Sequence, residues 1–184
     1  MQFIKTRSLM ITALLAFIVL TGSQVFTQAD EPRQPDLPAA CANIQAEEGN
    51  RVAFHVYAIG VQVYRWNGTS WGFVGPVASL YSDDDYHGKV GTHYATPNGP
   101  AWESTSGSRV IATKVRECVP DSNAIAWLWL RKVSTEGPGI FDRVTFIHRV
   151  NTTGGVAPTE PGTTVGQEKR VPYTTEYYFY RATN

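Results

Sequence analysis

Residues 51–74 read RVAFHVYAIGVQVYRWNGTSWGFV, and the fold class follows from this stretch. Val52, Phe54 and Val56 alternate with Arg51, Ala53, His55 and Tyr57, and farther on Val61 and Val63 alternate with Gln62, Tyr64 and Trp66. A period of two in β-branched and aromatic residues is the pattern of a strand, because successive side chains leave a pleated backbone on opposite faces. Asn67-Gly68 then stands where a hairpin needs positive φ, so residues 61–66 and 70–74 are predicted to pair.

The same reading extends outward. Residues 77–81, 89–94, 109–118, 125–133, 143–150 and 173–181 are strand candidates, separated by Gly-, Pro-, Ser- and Asn-containing breaks at 83–88, 96–99, 104–108, 136–139 and 151–155. Residues 124–133 are apolar on both faces, so periodicity alone does not separate a buried strand from a buried helix, although Ile, Val and two Trp favour the strand. A turn of helix is expected only around Glu47-Glu48. Many short strands with regular turn signals predict one all-β domain, an antiparallel sandwich or flattened barrel of roughly eight to ten strands.

Composition agrees with a folded chain: 42% of the 184 residues are hydrophobic and 17% charged. Sixteen Lys and Arg balance sixteen Asp and Glu, which removes the broad attraction that a nucleic acid or an anionic membrane surface would require. Residues 1–29 read as a secretory signal, with Lys5 and Arg7 ahead of an apolar run at 9–20 and small residues at Thr27 and Ala29 for cleavage. That run is too short for a bilayer core, which needs roughly 20 residues, so no membrane span is expected in the mature chain. Residues 30–40 are Pro-rich and predicted as an extended lead-in, and residues 41–184 as the domain. The expected address is extracytoplasmic: secreted, periplasmic or cell-envelope. In such an oxidising compartment Cys41 and Cys118 are read as one disulfide, the alternative being two buried thiols.

Signatures of chemistry are sparse. The chain has no GxSxG, GxGxxG, P-loop or HExxH motif, and no cofactor or metal site is expected. His87 and His93 flank a glycine-containing segment after Asp83, Asp84 and Asp85, which reads either as a ligand set for a borderline cation or as an acidic hairpin tip. Alternation sets His93 apart from Val90, Thr92 and Tyr94; if Val90 and Tyr94 face the core, His93 lies outside or lines a groove, and its replacement costs little. His148 points to the core by parity with Val144, Phe146 and Val150. Trp66, Trp71, Trp102 and Tyr64 offer flat surfaces on which a sugar or other small molecule could stack, or else pack the core and edges.

Gly60-Val-Gln-Val-Tyr64, Gly91-Thr-His-Tyr94, Trp102 with Ser106-Gly-Ser108, Ala126-Trp-Leu128, Arg149-Val-Asn-Thr-Thr-Gly-Gly155 with Ala157-Pro158, and Val171-Pro-Tyr173 with Tyr177-Tyr-Phe-Tyr180 occur in an order that resembles domain of unknown function family 3455. The resemblance runs from about residue 50 to 181. It implies an exported protein of a kind found in bacteria and fungi, with no established activity. Some fungal members carry a malate dehydrogenase label, for which this sequence has neither the glycine fingerprint nor the βαβ helices. Relatives place Cys near Trp66 and Gly162, where this chain has none. By resemblance the positions to watch are Gln62, His93, Trp102, Trp127, Arg149 and Asn151; Tyr64 joins them as an aromatic candidate. The leading expectation is a non-enzymatic binding or surface module for a glycan or small molecule. Its rivals are a small, metal-assisted enzyme using His93 and a structural module of the cell envelope.

Overall fold

A computed structural model of the chain describes residues 34–183, so the expected signal segment and the first four residues of the lead-in lie outside the described residues. Eight antiparallel strands follow a short 3-10 helix at Ala39–Ile44. They are β1 Asn50–Trp66, β2 Trp71–Tyr81, β3 Lys89–Thr96, β4 Gly99–Ser104, β5 Arg109–Cys118, β6 Trp127–Glu136, β7 Phe146–Gly154 and β8 Glu168–Ala182. Each strand pairs with the next, and β1 pairs with β8 from Asn50↔Ala182 to Arg65↔Glu168, which closes the sheet into a barrel. Closure removes both sheet edges and settles the choice between sandwich and barrel.

Several expectations change in detail. The two strand patterns at 51–57 and 61–66 are one continuous strand, β1, which runs through Gly60 in unbroken register. Gly60 is required because a Cβ would stand 2.3 Å from the Val77 carbonyl oxygen and 2.5 Å from Ala78 Cα. Residues 70–74 and 77–81 merge in the same way into β2, despite Pro76. The 96–108 region yields β4, hidden from pattern reading by its six-residue length and Pro100. No helix forms at Glu47-Glu48; the helical turn lies earlier, at Ala39–Ile44. The Asn67-Gly68 hairpin forms as a loop between Trp66 and Trp71, with Gly68 at φ +100° and Asn67 Oδ1 accepting from the Thr69 and Ser70 amides.

Two apolar layers result, one on each face of the closed sheet. Inside, Phe54, Phe141 and Phe179 pack with centroids 4.6–5.6 Å apart and fill one end of the barrel together with Val144, Val110 and Leu80. Outside, Leu37, Cys41, Ile44 and Ala46 lie as a strap over Trp127, Trp129, Phe146, Tyr178 and Tyr180. The Cys41–Cys118 disulfide ties that strap to the end of β5, with Cα atoms 5.4 Å apart. The strap explains why residues 124–133 are apolar on both faces: Leu128 and Leu130 face the barrel interior while Trp127 and Trp129 face the strap. A bulge between Val52 and Phe54 lets β1 serve both layers, so Val52 joins the outer cluster opposite Tyr180 while Phe54 turns inward opposite Phe179.

His148 is buried, as parity predicts, but in the outer layer. Its Nε2 meets the Ile44 carbonyl at 2.5 Å and its Nδ1 meets the Tyr180 hydroxyl at 2.9 Å. Since a carbonyl only accepts, Nε2 carries the proton and Nδ1 accepts from Tyr180. Among the described residues no helix is long and apolar enough to cross a membrane.

Candidate functional site

The three-Phe plug fills one end of the barrel and leaves the other hollow. A cavity of about 700 Å³ opens there, where odd-numbered strands end and even-numbered strands begin. Cross-strand register explains its wall. His93 stands opposite Trp102, and Arg149 stands between Leu128 of β6 and Tyr177 of β8, so each group puts its side chains on one face. Gln62 and Tyr64 come from β1, two residues apart and therefore both inward. Ile125, Val156 and Ala157 border the mouth with the Lys114–Glu117 ion pair.

His93 reverses the outward placement considered above. It is 2% exposed and its ring lies on Trp102, with centroids 4.3 Å apart and planes 18° apart. Tyr177 meets both rings edge-on, at 5.2 and 5.3 Å. Val90 and Tyr94, on the opposite parity, are only partly buried, because on this short, curved strand it is Gly91 and His93 that the barrel encloses. Substitution of His93 is therefore a core event and not a cheap surface change. Its Nδ1 donates to the Ala101 carbonyl at 2.9 Å, leaving Nε2 as an acceptor. Burial pushes its pKa down from 6.5 to about 3, with the charge of Arg149 acting in the same direction.

Five of the seven residues singled out in the sequence, Gln62, Tyr64, His93, Trp102 and Arg149, line this one cavity. Trp127 and Asn151 do not. Trp127 packs under the strap, and Asn151, at φ +50°, donates from Nδ2 to Glu176 Oε1 on the outer surface. Trp66 and Trp71 pair with each other at 5.4 Å beside the β1–β2 hairpin. His87 is exposed at the tip of the β2–β3 loop, 3.9 Å from Asp83, and no group of three or more His, Cys, Asp or Glu suited to a metal occurs among the described residues. Tyr177 is the lining residue that pattern reading assigns only to a strand face; its one signal is parity with Tyr173 and Phe179.

Arg149 is oriented by two bonds to the Ala126 carbonyl, 3.0 Å from Nε and 2.7 Å from Nη2. The Tyr64 hydroxyl donates to the Gly155 carbonyl at 2.7 Å. Gly155 reaches this position because it adopts φ +75°, and a Cβ there would stand 2.9 Å from Tyr173 Cβ and 3.1 Å from Gln62 Cγ. Tyr177 O–H sits near Arg149, Tyr173 and Trp102, each of which opposes the rise in its pKa caused by burial, yet none meets it at good hydrogen-bond geometry. Gln62 Nε2 and Trp102 Nε1 are likewise buried without a partner. The wall thus combines stacked rings and aliphatic side chains with one guanidinium and several unpaired polar atoms, an arrangement suited to binding a small molecule.

A family model described as Protein of unknown function (DUF3455) matches residues 47–181, which takes in all eight strands but for the last residue of β8. No curated protein and no solved structure matches this chain.

Proposed function

We propose, from the premise that this chain belongs to the DUF3455 family of proteins of unknown function, that it is an extracytoplasmic binding protein holding one small, largely apolar molecule inside its barrel. The observation that carries this reading is the aromatic-walled cavity of about 700 Å³ opening at one end of an otherwise filled barrel. Its volume lies within the roughly 300–1,000 Å³ of small-molecule sites, and eight strands suffice to enclose one small ligand. A glycan fits less well, since the mouth and wall are mainly Phe73, Ile125, Leu128, Val156 and stacked rings.

Binding without turnover is supported by the state of His93. Its Nδ1 is engaged by a backbone carbonyl and its pKa is pushed to about 3, which leaves a weak base at neutral pH. The address is supported by the Cys41–Cys118 bridge, since disulfides persist in oxidising compartments.

Nile red, an uncharged apolar dye, tests the reading. Saturable binding of one dye per chain is expected, with loss of binding in Leu128→Trp, which fills the cavity from β6. Absence of saturable binding, or unchanged dye affinity in a folded Leu128→Trp protein, would remove the cavity as the site.

A further inference from the structure

We infer that the ligand of this cavity is an apolar carboxylic acid whose carboxylate is held at Arg149 by the guanidinium together with Gln62, Trp102 and Tyr177; this rests on reading the cavity as a small-molecule site. The inference comes from the balance of donors and acceptors in the wall. Gln62 and Trp102 are each 1% exposed and Tyr177 fully buried, all three line the cavity, and Gln62 Nε2, Trp102 Nε1 and the Tyr177 hydroxyl meet no partner at good hydrogen-bond geometry, although Tyr177 lies close to Arg149, Tyr173 and Trp102. Amide N–H and indole N–H only donate, and a phenol donates readily. A buried donor left unpaired is costly, so a cluster of them is retained where something else supplies the acceptor.

The wall offers neutral acceptors, His93 Nε2 and the Tyr177 hydroxyl oxygen, but no uncommitted anion. Arg149 spends Nε and Nη2 on the Ala126 carbonyl and enters no ion pair among the described residues. Arg149 is partly buried and lines the cavity between Leu128 and Tyr177. The nearest carboxylates are committed elsewhere. Glu117 pairs with Lys114 at the mouth, and Glu176 is bound on the outer face by His55, Asn151 and Tyr178. One fixed cation facing unpaired donors in an apolar pocket matches a group with two acceptor oxygens and one negative charge. A carboxylate accepts from a guanidinium and still has lone pairs for neighbouring N–H and O–H groups. Its apolar body would lie against Leu128, Leu130 and Ile125.

Isothermal titration with 2-naphthoate and with 2-naphthalenemethanol, which share a ring system and differ in the charged head, tests the inference. Wild-type protein should bind the acid about tenfold or more tightly than the alcohol, the expected worth of a charge-assisted hydrogen bond. Arg149→Met should abolish that preference while leaving alcohol affinity unchanged, and Arg149→Lys should keep part of it. Tyr177→Phe, which preserves ring packing, should weaken the acid several-fold and spare the alcohol, and it serves if Arg149→Met does not fold. Equal binding of acid and alcohol by the wild type, or acid binding indifferent to both Arg149→Met and Tyr177→Phe, overturns the carboxylate inference and leaves the apolar cavity standing. Failure of both probes overturns it too, and Nile red binding then decides whether the cavity reading survives.

Discussion

The imidazole of His93 lies on the indole of Trp102, 4.3 Å centroid to centroid, and reaches past it to the Ala101 carbonyl next along β4. This pairing fixes the ring on the wall between β3 and β4, and burial holds it neutral against the Ala101 bond, which favours the protonated form. His93 and His148 both have pKa values pushed far below 6.5, to about 3 and about 4, by burial. Between about pH 6.5 and 4 the unfolded chain binds protons that the folded chain refuses. Stability therefore falls as pH drops through that window and is unaffected by these two groups above it. Each contributes about 1.4 kcal/mol per pH unit below about 6.5, so on the order of 4 kcal/mol should be lost between pH 7.5 and 5. Urea unfolding at the two pH values measures this; a flat profile would mean that both rings are solvated, and half the loss that one of them is.

His93→Ala removes a stacked, buried ring and should cost about 2–4 kcal/mol at pH 7.5, in the range of large-to-small core substitutions. It should also flatten the acid limb of the stability profile. Thermal and urea melts read the first effect and their pH dependence the second, and a cost near zero would place the ring in solvent.

Reduction of Cys41–Cys118 should destabilise the barrel and free the strap. The bridge spans 77 positions, for which the chain-entropy model gives about 4–5 kcal/mol, an upper figure that real bridges often miss. The double variant Cys41→Ala with Cys118→Ala should lower the melting temperature and expose Trp129, read as a red shift in tryptophan emission. An unshifted melt would show that packing of Leu37 and Ile44 alone holds the strap.

Gly60→Ala should cost more than about 2 kcal/mol and loosen the β1–β2 pairing. Its Cβ would have to enter space occupied by Val77 and Ala78 backbone, and backbone on an interior strand cannot step aside as a flexible side chain can. Hydrogen exchange at the Ala58 and Val77 amides would report the loosening; Gly49→Ala, where a Cβ meets nothing within 4 Å though φ is +78°, makes the comparison.

Gly162 backs onto Trp66, such that a Cβ on Gly162 would stand 2.7 Å from Trp66 Cβ and 2.4 Å from Trp66 Cγ. The two positions near which the family resemblance implies Cys are therefore neighbours in space. Trp66→Cys with Gly162→Cys should form a second disulfide after a shift of about 1 Å, since bridged Cβ atoms sit about 3.5–4.5 Å apart. Non-reducing mass spectrometry after alkylation reads the result, and two alkylated thiols would mean the loop after β7 does not seat on the hairpin in solution.

Alternation and turn chemistry made the strand content legible. The Asn67-Gly68 hairpin, the exact extent of β5, and the strand character of residues 127–133 all follow from side chains that interact with near neighbours in the chain. Pattern reading failed where a local rule was overridden by distant packing. Gly60 and Gly75-Pro76 look like breaks but sit inside long strands, because ladder pairing along β1 and β2 outweighs one weak position. β4 was missed because Pro100 stands at a strand start, where it costs little. The candidate site was legible as a set of polar and aromatic residues without an evident packing task, and five of them share the cavity, whereas Trp127 found that task under a strap that no periodicity announces.

What the sequence determined by itself is the relative order of things: a period of two says that Gln62 and Tyr64 share a face, that His93 opposes Thr92, and that Arg149 follows Ile147. It does not say which face is enclosed. Polar Gln62 faces inward and Val61 outward, against simple hydrophobic sorting, because which face is enclosed is set by closure of β1 on β8. Tertiary structure alone decided that residues 62, 93, 102, 149 and 177, carried by five different strands, meet in one cavity. Such contacts depend on ring closure, and no local interaction encodes the position of one strand relative to another half a barrel away.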